Sequence, residues 1–190
     1  MTIKEQILKS NPKVGNIHFI AVDGHGGSGK STLAKLLSEQ LKAEIIHADD
    51  FASWDNPKNW WPLIIERVFD PIKNGATTLN YPRSKWWEVH MSEPVVNQPV
   101  TKIMILEGVS SLRKEFIPYI SFGIFVDTPR DICLSRGFER DKGNDGKSDE
   151  EIRKMWDEWY RDEDKFYAQD NVKSRADIVI DGTKSFEDQL

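Results

Sequence analysis

The clearest chemical signal in this sequence is a glycine-rich stretch at residues 24–31. It reads Gly-His-Gly-Gly-Ser-Gly-Lys-Ser and fits the pattern Gly-x-x-x-x-Gly-Lys-[Ser/Thr] at every fixed position. Such a loop turns backbone N–H groups toward a phosphate, and the helix that follows adds partial positive charge. We expect Lys30 to reach the outer phosphates of a nucleoside triphosphate and Ser31 to bind Mg²⁺. The predicted nucleotide-binding residues in this stretch are Gly24, Gly26, Gly27, Ser28, Gly29, Lys30, Ser31 and Thr32.

The alternative is a glycine-rich turn between a strand and a helix that binds nothing. The context favours phosphate binding, because the apolar run at residues 17–22 precedes the loop and a helical pattern follows it. The apolar positions of that pattern lie on one helix face: Leu33, Leu36, Leu37 and Leu41. His25 occupies a variable position of the loop and is expected to face solvent rather than to act in catalysis.

Acidic residues follow two other short apolar runs. Asp49 and Asp50 come after one run, and Glu107 comes after the other. Open α/β sheets bind ligands at the carboxyl ends of their strands, so these side chains are expected to lie near the phosphates. Asp49 is predicted to accept the proton of a substrate hydroxyl, and Glu107, Ser31 and Asp49 are predicted to hold Mg²⁺. For either aspartate taken alone, the alternative is a helix cap or a turn.

Two arginines precede a polar, glycine-containing stretch at residues 141–149. Arg136 and Arg140 are four residues apart and therefore share one helix face. They are predicted to be catalytic, on a lid at about residues 137–150 that closes over the triphosphate and neutralises charge on the transferred group. The alternative is ordinary ion pairing with neighbouring acidic residues on the helix surface.

The elements that must position these side chains alternate between strand and helix. Five apolar runs predict strands, at residues 17–22, 44–47, 103–106, 124–126 and 178–180. This order predicts a doubly wound α/β fold of three layers, with a mostly parallel five-stranded sheet and helices on both faces. The glycine-rich loop after the first strand makes this the P-loop NTPase type of fold. A helix is also expected over residues 2–10, and Ser148 with Glu151 predicts a capping box that opens a late helix.

Length and composition restrict the classes of protein. The chain has 190 residues, which predicts one domain spanning residues 1–190. Its net charge of -5 provides no field for attracting nucleic acid or an anionic membrane. The single cysteine, Cys133, cannot form an internal disulfide, and no apolar run is long enough to cross a bilayer. A cytoplasmic protein without nucleic-acid or membrane partners is expected, and its oligomeric state, including a homo-oligomer, stays open.

Taken together, the motifs resemble those of the uridine kinase family of P-loop kinases, which is related to phosphoribulokinase and bacterial pantothenate kinase. The resemblance lies in residues 21–24, 49–51, 105–108, 133–141 and 176–182. It implies ATP and Mg²⁺ as cofactors, a catalytic aspartate at Asp49, and the base of ATP near Gly182 and Thr183. It also implies that Lys30, Ser31, Glu107, Arg136 and Arg140 occupy the family's phosphate, metal and lid positions. Cys133 stands where the family's lid block has an arginine.

Residues 52–99 are predicted to bind the phosphate acceptor. Most of the tryptophans lie in this segment, at Trp54, Trp60, Trp61, Trp86 and Trp87. They could form an aromatic wall for a planar base, with Asp55 and Tyr81 nearby, or they could simply fill the core. The predicted acceptor-binding residues are Asp49, Phe51, Trp54, Asp55 and Tyr81.

The sequence therefore predicts a kinase that transfers the γ-phosphate of ATP to a small-molecule hydroxyl, with a nucleoside such as uridine or cytidine as the leading acceptor. A nucleoside monophosphate kinase is one alternative, although it needs more basic residues for its anionic acceptor. A P-loop regulator that binds ATP without transferring phosphate is the other.

Overall fold

The computed structural model describes residues 1–53, 59–84, 95–143 and 146–190. The strands are β1 (His18–Asp23), β2 (Glu44–His47), β3 (Thr78–Pro82), β4 (Val95–Pro99), β5 (Ile103–Glu107), β6 (Phe122–Asp127) and β7 (Ile178–Asp181). The helices are α1 (Ile3–Lys9), α2 (Lys30–Leu41), α3 (Trp61–Ile64), α4 (Asp70–Lys73), α5 (Arg130–Asp141) and α6 (Asp149–Asp170). A π-helical segment, Ile65–Phe69, joins α3 to α4. Short 3₁₀ turns lie at Ala48–Asp50, Lys114–Phe116 and Val172–Arg175.

Five parallel strands form the central sheet in the order β2-β5-β1-β6-β7. The five strands correspond to the five predicted apolar runs. Because all five are parallel, their carboxyl ends meet at one edge, and the register places both Val22 and His47 opposite Glu107. The predicted α/β fold is confirmed.

Apolar side chains cover both faces of the sheet. Along β1, Phe19 points into one core cluster and Ile20 into the other, as the alternation of strand side chains requires. Ile7 of α1 and Leu33 of α2 are fully buried in the second cluster. The helical segment from α3 to α4 packs on the first. The chain therefore has the three predicted layers. No helix among the described residues is both long and apolar enough to span a membrane.

The helices α5 and α6 pack closely because α5 carries a glycine at the contact. A Cβ atom on Gly137 would lie 2.5 Å from the Trp156 ring. Trp156 packs with Phe138 and Ile152 in a small cluster that is separate from the two faces of the sheet, so this tryptophan serves the packing of α5 against α6. The predicted capping box is confirmed, since the Ser148 side chain accepts from the backbone N–H of residue 151.

The described part of residues 52–99 contains a helical stretch and two strands. The helical stretch runs from Trp61 to Lys73 and includes the π-helical segment. The π-helical segment ends two residues before Pro71, which has no N–H to donate to the preceding turn. An antiparallel hairpin of β3 and β4 was not predicted.

Candidate active site

The glycine-rich loop connects β1 to α2 at the carboxyl edge of the sheet. Gly27 has φ +77°, and a Cβ atom there would lie 2.2 Å from the carbonyl oxygen of Cys133. Gly24 has φ +143°, with its Cβ position 2.5 Å from the carbonyl oxygen of Val126. Larger residues would be strained at both positions, so the loop can take this shape only with glycine there.

Lys30 is the main positive charge of the loop. Its side chain is 8% exposed, and its Nζ atom donates to the carbonyl oxygen of His25 at 2.8 Å. This bond holds the ammonium group over the loop before any phosphate arrives. The next two residues, Ser31 and Thr32, lie exposed in the first turn of α2.

Glu107 is buried at the end of β5 between two partners. The Ser31 hydroxyl donates to Oε2 at 3.2 Å, and Nδ1 of His47 lies 2.6 Å from Oε1. Burial alone raises the pKa of Glu107, but the hydrogen bond from His47 and the positive charges of His47 and Lys30 outweigh it and lower that pKa overall. The same hydrogen bond raises the pKa of His47. Because an ionised carboxylate only accepts, Nδ1 of His47 carries the proton.

The two neighbouring aspartates have different surroundings. Asp49 lies at the sheet edge and is exposed to solvent. The pKa of its carboxyl is raised, because nearby protein atoms displace water around the charge and because Glu107 is negatively charged. Asp50 is 3% exposed, and its Oδ1 lies 3.1 Å from Nε of Arg83. Asp50 would have to give up its ion pair with Arg83 to meet a substrate, whereas Asp49 lies at the surface.

The two predicted lid arginines both lie on α5 but make different contacts. Arg136 donates to the carbonyl oxygens of Gly182 at 3.0 Å and Ser28 at 3.4 Å, so it joins the phosphate loop to the segment after β7. Arg140 pairs with Asp141 at 2.8 Å, as the surface-pair alternative expected. The charge of Asp49 nevertheless acts on Arg140.

Helix α6 contacts the second and third residues of the loop. His25 stacks on Tyr160 with 4.4 Å between ring centroids, and its Nε2 lies 2.9 Å from Asp164. Its side chain is only 17% exposed, so the expectation that it faces solvent is wrong. The backbone N–H of Gly26 donates to Glu163 at 2.9 Å, and burial raises the pKa of Glu163 to about 7.

The buried carboxylate of Asp23, just before the loop, also holds the loop in place. Asp23, fully buried at the end of β1, accepts from the backbone N–H groups of Gly24, Ser110 and Leu112 and from the Tyr167 hydroxyl. Burial raises its pKa in spite of these donors. The four bonds tie the start of the loop to the segment after β5 and to α6.

The segment after β7 lies beside the loop, where the base of ATP is predicted to bind. A Cβ atom on Gly182 would lie 2.6 Å from the carbonyl oxygen of Ser28. The Thr183 side chain is exposed and donates to Asp181 at 2.6 Å. The structure thus brings these two residues to the edge of the loop.

The predicted acceptor residues are only partly described. Trp54 and Asp55 lie outside the described residues. Phe51 and Tyr81 are buried in the core, with ring centroids 4.8 Å apart. Trp60, 6% exposed, also belongs to this core, in line with the core-filling alternative. Among the described residues, no hydrogen-bond partner reaches the buried hydroxyl of Tyr81.

Sequence reasoning missed two residues of the site, His47 and Glu163. His47 belongs to no recognisable sequence motif, and only the strand register shows that it lies opposite Glu107. Glu163 did carry a signal, because it lies seven residues after Trp156 on the buried face of α6. A carboxylate on an apolar stripe is a recognisable anomaly.

The residues present fit Mg·ATP. The glycine loop leaves no room for Cβ atoms, as a backbone phosphate cradle requires. Ser31 and Glu107 present the hard oxygen ligands that Mg²⁺ prefers. Among the described residues, no group of three or more His, Cys, Asp or Glu side chains forms a metal cluster.

Comparisons with known proteins agree with this site. The Phosphoribulokinase / Uridine kinase family matches residues 65–185. Uridine kinase of Pectobacterium atrosepticum is 25% identical over 188 residues, covering 85% of each chain. Uridine kinase of Histophilus somni is 27% identical over 187 residues, again covering 85% of each. A solved structure described as a possible uridine kinase from Bacillus stearothermophilus has a TM-score of 0.63 at 21% identity, covering 93% of this chain and 94% of that one, and supports the fold.

The fold, the phosphate loop and these relatives define a P-loop kinase. Within that class, the chain belongs to the phosphoribulokinase/uridine kinase family.

Proposed function

We propose that this protein transfers the γ-phosphoryl group of Mg·ATP to a hydroxyl of a small molecule, with a pyrimidine nucleoside such as uridine or cytidine as the acceptor. The observation that carries the proposal is the exposed carboxylate of Asp49 at the same sheet edge as Lys30 and Glu107. The names of the relatives support uridine as the first acceptor to test.

In this proposal Asp49 accepts the proton of the acceptor hydroxyl. The hydroxyl oxygen then forms a bond to the γ-phosphorus, and the bond from that phosphorus to the β–γ bridging oxygen breaks, which leaves ADP. The backbone N–H groups of the loop and the Lys30 ammonium hold the phosphates. Ser31 and Glu107 would hold Mg²⁺ with Asp49 nearby, and the bound ion supplies positive charge to the phosphate oxygens.

An acceptor pocket and a lid surround the phosphate-binding residues in this proposal. We assign the acceptor pocket to about residues 52–99 and the lid to about residues 137–150 within one domain. Arg140 suits the lid role, because its side chain is 65% exposed and the charge of Asp49 acts on it. We also assign a catalytic role to Arg136, which lies between the phosphate loop and Gly182, where the base of ATP is expected.

A hydroxyl acceptor suits the charges better than a phosphorylated one. The exposed Asp49 would repel an incoming phosphate. Among the cationic residues described in the acceptor segment, Arg83 is already engaged with buried Asp50. A monophosphate acceptor would require paired arginines that are free to bind phosphate.

The test is a phosphate-transfer screen with Mg·ATP against nucleosides, sugars, vitamin precursors and nucleoside monophosphates. We expect uridine or cytidine to be phosphorylated, and we expect Asp49→Asn to lose the transfer while it still binds ATP. Transfer to UMP or CMP alone would show a monophosphate kinase instead. ATP hydrolysis that responds only to a protein partner would show a regulator.

A further inference from the structure

The two side-chain oxygens of Glu107 are held by two different residues. Oε1 accepts from His47 at 2.6 Å, and Oε2 accepts from Ser31 at 3.2 Å. The Glu107 side chain is only 7% exposed, whereas the His47 side chain is 43% exposed. The parallel pairing of β2 with β5 places the two residues opposite each other at the end of their strands.

Both bonds are compatible with a bound Mg²⁺. The Ser31 hydroxyl has two lone pairs besides its proton, so it can bind the ion through a lone pair while it still donates to Oε2 of Glu107. The lone pairs of the carboxylate that are not used in these two bonds are available to the metal or to one of its water ligands. The bond from His47 lies on the other oxygen, Oε1, and fixes the direction in which the carboxylate points.

We propose that His47 is a positioning residue for metal binding, which holds the Glu107 carboxylate in place when Ser31 and Glu107 bind Mg²⁺. The inference rests on the proposed function, because it concerns the metal of that same site. Partners of this kind, which bind a metal ligand rather than the metal, fix the direction of the ligand. Their loss weakens metal affinity by about 10–100-fold in characterised sites.

The chain allows matched variants that separate positioning from folding. His47→Ala removes the donor, whereas His47→Asn keeps an N–H donor near the position of Nδ1. Because the ring is partly exposed, neither change opens a large core cavity. His18→Ala is the control, since the His18 ring lies 3.2 Å from Ser10 at the start of β1, away from the site edge.

The experiment measures the affinity for a non-hydrolysable ATP analogue by calorimetry, once in EDTA and once with Mg²⁺. The readout is the ratio of the two dissociation constants. We expect His47→Ala to bind the analogue like the wild type in EDTA but to lose about tenfold or more of the gain from Mg²⁺. His47→Asn should retain most of that gain, and His18→Ala should retain all of it.

Several results would overturn the inference: an unchanged ratio in His47→Ala, a loss of equal size in EDTA, a failure of His47→Asn to rescue, or a wild type that gains nothing from Mg²⁺. The test does not depend on the acceptor. A wild type that phosphorylates no hydroxyl compound would refute the proposed function, while a reduced ratio in His47→Ala would still establish the role of His47.

Discussion

The phosphate side and the acceptor side of the site are built in different ways. On the phosphate side, residues 24–29 form one continuous loop directly before Lys30 and Ser31 of α2, and the Lys30 ammonium lies against a carbonyl oxygen of that loop. On the acceptor side, the described residues Asp50, Phe51 and Tyr81 are buried against other protein groups. Substitutions on the phosphate side should therefore reduce turnover with little loss of stability, and substitutions on the acceptor side should do the reverse.

The largest expected effect is that of Lys30→Ala on the phosphate side. Removing the ammonium takes away the main side-chain charge on the outer phosphates, so turnover should fall by about 10³-fold and ATP binding should weaken. The melting temperature should stay close to that of the wild type, because the hydrogen bond that Lys30 makes within the described part of the chain goes to a loop carbonyl. Steady-state kinetics and a thermal melt test both points. A variant with near-normal turnover would refute the phosphate role of the loop.

Two adjacent residues, Asp49 and Asp50, allow a direct test of the difference between an exposed catalytic group and a buried structural one. Asp49→Asn removes the base from an exposed position, so turnover should fall by about 10²-fold or more with an unchanged melting temperature. Asp50→Asn takes the carboxylate away from the partly buried Arg83 guanidinium and should cost about 1–3 kcal/mol of unfolding free energy, with a milder effect on turnover.

Denaturant unfolding and steady-state kinetics on the same two proteins provide the measurement. Equal losses of turnover, or a larger loss in Asp50→Asn, would show that the catalytic assignment is one residue off.

The arginines of α5 offer a smaller test of the same kind. Both bonds from Arg136 to Ser28 and Gly182 come from Nη1, at the far end of the guanidinium group. The shorter lysine side chain does not place its ammonium at that position, so Arg136→Lys should lower both stability, by about 1 kcal/mol, and turnover. Arg140→Lys should lower turnover by about tenfold and leave the melting temperature unchanged, because its side chain is 65% exposed. Unimpaired turnover in both variants would leave these arginines with structural roles alone.

The same contrast explains what the sequence could predict. The phosphate loop is a contiguous motif with a strand before it and a helix after it, so local spacing was enough to place Lys30 and Ser31. The parallel sheet followed from short apolar runs in alternation with helices. These features depend on residues that are close in sequence.

The parts that were missed depend on contacts distant in sequence. The pairing of Glu107 with His47 joins two strands 60 residues apart. The β3–β4 hairpin has short strands that end at Pro82 and Pro99, and their alternation of buried and exposed positions covers only a few residues. Proline and asparagine within such short runs make them resemble loops. Sequence periodicity alone could not separate them from irregular structure.

The smallest expected effect concerns Glu163, which links α6 to the phosphate side. Burial raises the pKa of this carboxyl from 4.5 to about 7 in the folded protein, whereas the unfolded chain keeps the ordinary value. Between those two values the folded state binds the additional proton. The stabilisation from protonated Glu163 is therefore fully present below about pH 4.5 and is lost as the pH rises through about 7.

Glu163→Gln should remove this pH dependence, because a glutamine is neutral at every pH and its side-chain oxygen can still accept from Gly26. At pH 5 the variant and the wild type should melt together, and at pH 8 the variant should be more stable by about 1 kcal/mol, or about 2–4 °C. Glu158→Gln is the control, since it removes the same charge from an exposed position on the same helix. If the melting temperatures of Glu163→Gln and wild type differ equally at both pH values, then Glu163 is ionised at both, and its contact with the phosphate loop is that of an ordinary carboxylate.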